Sequence, residues 1–180
     1  MRDIIKLGLI LLIITAVSAG ALSITNDITR EIIDEKALEK NLAYMKEILP
    51  DADDFELVDD PGILSVDGVE EVYKALQGGN ISGYVIKTIT SGYGGGVTIL
   101  TGIDVDGTIV AIRVASQTET PELGTKIAED EFGSQFEGLS AETELELNED
   151  VDQVSGATVS SRAAINGVNA SIELFNNVLK

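Results

Sequence analysis

Apolar and polar positions divide the chain into stretches of different period. From Leu7 to Ile24 the residues are apolar or small and none is charged. In a helix such a run reaches ~27 Å, close to the thickness of a bilayer's hydrocarbon core. From Ile28 to Leu49 the period turns amphipathic, with Ile28, Ile32, Leu38, Leu42, Met45 and Leu49 forming a stripe among charges. Asn26 or Asp27 is placed to cap this second helix and Pro50 to stop it. Asp51, Asp53, Asp54, Asp59 and Asp60 then read as a solvated acidic loop, without the spacing of an EF-hand.

Extended patterns come next, over Glu70 to Leu76, Gly83 to Thr90, Val97 to Ile103 and Thr108 to Ser116. They are rich in β-formers and separated by Gly78-Gly79-Asn80, by the glycine run Gly92 to Gly96, and by Asp104-Val105-Asp106-Gly107. In the last strand, alternation places Ile109, Ala111, Arg113 and Ala115 on one face and Val110, Ile112 and Val114 on the other. A short helix is expected from Ile127 to Phe136. An acidic connector over 137–150 comes after it, with Leu145 and Leu147 on an edge strand. A final helix carries Ala164, Val168, Ile172, Phe175 and Leu179 on its buried stripe.

The expected fold class is therefore α+β: a single N-terminal transmembrane helix, then an antiparallel sheet packed with helices. The boundaries are a cytoplasmic N-terminus over 1–6, the span over 7–24, a juxtamembrane helix over 25–50 and an extracytoplasmic domain over 51–180. Arg2 and Lys6 before the span set this orientation by the positive-inside tendency. Val17-Ser18-Ala19 offers the alternative of a cleaved signal peptide, but the apolar run continues past it through Ala21, Leu22 and Ile24. Either reading places the domain outside the cytoplasm.

Composition narrows the chemistry. The 180 residues carry a formal charge of -19, against the basic footprint that nucleic acid requires. With no cysteine there is neither a disulfide framework nor an iron–sulfur ligand set. With no histidine, the commonest general base and zinc-binding imidazole are missing too. A redox role would have to come from a bound cofactor.

Three stretches are candidates for chemistry. Gly92 to Gly96 lacks the Lys-Ser/Thr ending of a P-loop and reads as a flexible inter-strand loop. Thr118-Glu119-Thr120-Pro121-Glu122-Leu123-Gly124-Thr125-Lys126 is a proline-stiffened loop before a helix. Asp152-Gln153-Val154-Ser155-Gly156-Ala157-Thr158 ends in a hydroxyl at the start of the final helix. There a helix N-terminus would favour a phosphate, while Ser155, Thr158 or Ser160 could equally be a plain N-cap.

Ser155-Gly156-Ala157-Thr158, with Asp152 three residues ahead, resembles the flavinylation motif of the FMN-binding domain family. That family includes the G subunit of the Rnf complex and the C subunit of the sodium-pumping NADH:quinone reductase. The loop from Glu119 to Gly124 is similar to the family's Glu-Thr-Pro-Gly-Leu-Gly segment, and the likeness runs from Gly83 to Leu179 in the family's order. The resemblance implies FMN joined by a phosphoester to Thr158, with Ser160 and Ser161 as competing hydroxyls. It further implies a cofactor site of Ser155, Gly156, Ala157, Glu119, Thr120, Leu123 and Gly124. A separate flavin transferase, a lipid bilayer and the other membrane subunits of an Rnf-type ferredoxin:NAD complex, including a second covalent-flavin subunit, are the implied partners. The chain would relay electrons without turnover of its own. A C-type quinone-reductase subunit, another extracytoplasmic flavin carrier, or a binding module without cofactor, tethered or secreted, are the alternatives. Two positions depart from the family pattern. Glu122 replaces a glycine, adding strain if φ is positive there, and Gly96 replaces a proline.

Overall fold

The computed structural model describes the backbone of residues 2–60, 62 and 65–180, and the side chains of these except 2, 3, 27, 28, 30–35 and 37. The expected stripe positions Ile28 and Ile32 lie outside the described side chains, as does Asp27. The chain divides into two units, Met1–Lys40 and Asn41–Lys180.

In the first unit, helix α1 (Arg2–Ile48) begins and runs on through the position where Asn26 or Asp27 was expected to cap a new helix. No cap is needed there, because in a continuous helix each backbone group keeps its intrahelical partner. Ile4–Asn26 is long and apolar enough to cross a membrane, with a mean hydropathy of 2.4. Its hydroxyls turn back on the helix: Thr15 Oγ1 donates to the Leu11 carbonyl and Thr25 Oγ1 to that of Ala21, both at 2.9 Å. That satisfies polar groups hydrocarbon cannot.

In the second unit, β-branched residues concentrate in four long strands and pair in chain order. β1 (Asp54–Leu57), β2 (Val69–Gln77), β3 (Asn80–Ser91), β4 (Gly96–Asp104) and β5 (Ile109–Gln117) form one antiparallel five-stranded sheet. β1 is a correction to the expected acidic loop. Its four residues, Asp-Phe-Glu-Leu, pair with Tyr73 to Leu76 at the sheet's edge, where exposed acids are tolerated. The Asp104 turn is as expected: its Oδ1 accepts the N–H groups of Asp106 and Thr108 at 3.0 and 2.8 Å.

The simple alternation expected in β5 does not hold. Shifts between Gly102 and Ile103, and between Thr98 and Ile99, leave extra residues on β5. Each bulge swaps the face of the residues beyond it. Ile109 consequently joins Ile112 in the larger core, while Ala111 and Ala115 lie in the smaller one.

Both faces of the sheet are covered. On one, α3 (Thr158–Leu174) packs Ala164, Val168 and Ile172 against Ile86, Ile99 and Ile112. On the other, the end of α1 buries Met45, Ile48 and Leu49 against Ala75, Val85 and Leu100. Gly102 makes this possible, since a Cβ there would strike Ile48 Cγ2. Leu38 and Leu42, expected on the same stripe, are exposed. The same sheet face carries a charged network. A shift between Val69 and Glu71 sets both Glu70 and Glu71 against Lys87, at 3.2 and 3.3 Å. Tyr73 Oη donates to Glu71 Oε2 at 2.7 Å. Burial, helped by the neighbouring Glu71, holds the Tyr73 phenol well above its ordinary pKa. Burial alone would lower Lys87, but the bonds and charges of Glu70 and Glu71 outweigh it and raise its pKa.

The expected helix over 127–136 is three short pieces: 3-10 turns at Gly124–Ala128 and Ser134–Phe136 flank α2 (Asp130–Gly133). Leu145 and Leu147 form no edge strand. Only an isolated bridge joins Leu147 to Val151, and side chains of α3 and of the π-helical turn after it (Phe175–Leu179) hold the connector instead. Asn169 accepts from the Leu145 N–H at 2.8 Å and donates to its carbonyl at 3.0 Å. Asn176 donates to the Ala141 carbonyl at 2.7 Å.

Candidate functional site

The start of α3 is set by backbone, not by a capping side chain. Gly156 takes φ 79°, which glycine adopts freely, and Ala157 occupies the N-cap with no side-chain hydrogen bond. The Ala157 N–H closes a turn onto the Val154 carbonyl at 3.0 Å, and the Ser161 N–H makes a helical bond to the Ala157 carbonyl at 2.9 Å. The N-cap roles open to Ser155, Thr158 and Ser160 are therefore not taken. Thr158 is the first helical residue and its side chain is exposed. The first amides of α3, beginning at Thr158, sit at the positive end of the helix with no side-chain cap.

The three hydroxyls of this turn have different surroundings. Ser160 is 2 % exposed and donates to Glu119 Oε2 at 2.5 Å. Ser161 is fully buried and accepts the Val154 N–H at 3.0 Å. Thr158 alone of the three opens its side chain to solvent, at a cleft of about 430 Å³ lined by Tyr93, Thr120, Leu123, Gly124, Gly156, Ala157, Thr158, Val159 and Ser160. None of these lining residues is charged. Leu123, Val159 and Tyr93 give the cleft apolar walls, and the Thr120 and Thr158 hydroxyls a polar side.

The loop 118–124 and the first turn of α3 approach closely because both are rich in glycine. A Cβ on Gly124 would lie 2.8 Å from both Glu119 Oε2 and Ser160 Oγ, and one on Gly156 would lie 3.0 Å from Leu123 Cδ1. Glu122 takes φ 61°, so the strain anticipated from its replacing glycine is present. The run Gly92 to Gly96 is fastened rather than free. Gly94 N–H donates to Glu119 Oε1 at 3.1 Å, and Thr118 Oγ1 donates to the Gly94 carbonyl at 3.1 Å. Side chains at Gly92 and Gly94 would collide with Glu119 and with the Thr118 carbonyl.

Of the residues singled out by sequence, Thr120, Leu123, Gly124, Gly156, Ala157 and Thr158 meet at this cleft. Glu119 does not line it; the carboxylate lies beneath, 5 % exposed. Ser155 faces a different depression, with Lys126, Gln135 and Asp152. Tyr93 and Val159 were missed as site residues. An exposed aromatic inside a glycine run was the available signal for Tyr93.

Residues 92–173 match the FMN-binding domain, and residues 1–48 match the RnfG N-terminal region. The G subunit of the Na(+)-translocating ferredoxin:NAD(+) oxidoreductase complex of Acetobacterium woodii is 40 % identical over 99 % of this chain and 95 % of its own. The chain belongs to the RnfG family. A second relative, the G subunit of the ion-translocating oxidoreductase complex of Methanosarcina acetivorans, is 36 % identical over 96 % of this chain and 94 % of its own. Among solved structures, the C subunit of the Na(+)-translocating NADH-quinone reductase of Parabacteroides distasonis superposes with a TM-score of 0.51 at 21 % identity. That match covers 59 % of this chain and 63 % of the other. It is a likeness of fold: this RnfG-family chain and the quinone-reductase protein share the α+β arrangement.

Proposed function

We propose that this chain is the electron-relay flavin subunit of an Rnf-type ion-translocating ferredoxin:NAD oxidoreductase complex, with FMN joined through its phosphate to Thr158. The FMN-binding domain and the likeness to RnfG proteins along the whole chain support the flavin and the complex. The observation that carries the attachment is the contrast at the start of α3. Thr158 is exposed at an open cleft, while Ser160 and Ser161 are buried and hydrogen-bonded.

The cleft suits FMN. Its volume falls in the range of ordinary ligand pockets, and its apolar walls match a ring system. The uncapped amides of α3 suit a phosphate at Thr158, a gain of about 0.3–1 kcal/mol at an exposed site. FMN supplies the electron-accepting and electron-donating chemistry. The chain's own residues position it: Thr158 Oγ1 retains it, Gly156 and Gly124 allow close approach, and Leu123 and Val159 exclude water from one side. Covalent retention matters for a domain outside the cytoplasm, where a dissociated nucleotide is lost by dilution. A surface of charge -19 would also repel a free anionic cofactor.

In this reading Ile4–Asn26 anchors the chain, with Arg2 and Lys6 on the cytoplasmic side and the second unit outside. Lys6 is the one charged residue in that segment, so ion conduction falls to the partner subunits. Those partners are the other Rnf membrane subunits, including a second covalent-flavin subunit, and a flavin transferase acts in maturation. Expression with a flavin transferase should give a protein heavier than the polypeptide by one FMN residue, and a fluorescent band in a denaturing gel. Thr158→Val should remove both. Unlabelled wild-type protein under those conditions would overturn the proposal.

A further inference from the structure

We infer that Tyr93 is a cofactor-covering residue: its ring closes over FMN held at Thr158, and the buried Glu119 carboxylate sets the position of that cover. This deepens the flavin reading above and rests on it. Tyr93 is 75 % exposed, more than any other large apolar side chain described in the second unit. Leu123 at 42 % and Val159 at 50 % stand with it around the same cleft. Elsewhere in this unit the large aromatic side chains are mostly packed: Phe132 against Phe136, and Tyr84 against Phe175. An exposed apolar collar around one hydroxyl is the surface expected of a binding site whose occupant supplies the missing contact.

The cover is held in place. Glu119 is buried and uses both carboxylate oxygens: Oε1 accepts the Gly94 N–H at 3.1 Å and Oε2 accepts the Ser160 hydroxyl at 2.5 Å. One side chain thus joins the residue after Tyr93 to the turn that begins with Thr158. The Gln117 side chain accepts the Glu119 N–H at 2.6 Å and steadies the bridge. The backbone beside Tyr93 is thus tied to the turn of Thr158, and the Tyr93 side chain lines the cleft.

The test uses full-length protein flavinylated by co-expressed transferase, with Tyr93→Ala and Tyr93→Phe compared to wild type. Covalent loading is read from the denatured gel band, and solvent access from acrylamide quenching of flavin fluorescence in the native protein. The flavinylated fraction of Tyr93→Ala should show a higher quenching constant than wild type, because an aromatic cover is removed. Tyr93→Phe, which keeps the ring, should stay at the wild-type value. Equal quenching in all three proteins would overturn the cover while leaving the flavin site standing. So would a Tyr93→Ala protein that folds but takes no flavin, since Tyr93 would then serve attachment. A wild type without flavin would overturn both proposals.

Discussion

The Ser160 hydroxyl donates to the buried Glu119 carboxylate, tying the first turn of α3 to the loop after β5. Thr158, two residues earlier in the same turn, is exposed. Ser160→Ala should leave a buried carboxylate oxygen unpaired and lower stability by about 1.5–3 kcal/mol, the range for a hydrogen bond to a charged group. The flavin band should survive. Denaturant titration and the gel together check this, and a lost band in a folded Ser160→Ala protein would move the attachment site.

Glu122 and Asn148 both adopt positive φ, at 61° and 66°. Asparagine tolerates this conformation and glutamate does not. Glu122→Gly should therefore stabilise the protein by about 1 kcal/mol, or about 2–4 °C in Tm, net of the added freedom of the unfolded chain. Asn148→Gly should change Tm much less. Thermal melts of the two variants side by side are the check.

Thr88 and Thr101 are fully buried, and neither hydroxyl has a hydrogen-bond partner among the described residues. Thr101 pairs across the sheet with Ile86 and Ile112. Thr101→Val replaces an unmet polar group with an apolar one of similar shape and should gain about 1 kcal/mol. Thr88 stands under Gly167, where a Cβ would lie 2.8 Å from its hydroxyl. A methyl group fits that space less well, so Thr88→Val should gain less. Denaturant titration of the two variants would rank them.

The network on the α1 face predicts alkaline sensitivity. Tyr73 and Lys87 both have folded pKa values above their ordinary ones, so the folded state binds more protons at high pH. Their stabilisation is complete below the unfolded values, near 10 for tyrosine and lysine, and is lost as pH rises through and beyond them. Tyr73→Phe should flatten the fall in stability above about pH 10. A melt series from neutral to alkaline pH would show it; an unchanged slope would contradict the assignment.

The long strands were readable because β-branched residues concentrate between 69 and 117 and turn residues separate them. α3 was readable from its stripe. The elements that escaped the pattern depended on tertiary context. β1 is half acidic and is a strand only because β2 presents an edge to it. The β5 bulges move Ile109 to the face opposite the one alternation assigns, since a two-residue period carries no mark of an inserted residue. Motif resemblance singled out Thr158 and Leu123, which the fold brings to one cleft, and the positive φ at Glu122 agrees with its place in that motif. It put Glu119 and Ser155 at the cleft, whereas one is buried beneath and the other faces elsewhere. A linear motif does not say which side of a turn a side chain leaves from.

The two asparagine clamps, Asn169 on α3 and Asn176 in the turn after it, leave residues 142–144 outside any ladder, exposed between the buried Ala141 and Leu145. An epitope or a spin label spliced there would be carried by anchor points on either side, with no strand register to upset. That bend offers a handle for purifying or tracking the intact assembly while its redox centre stays untouched.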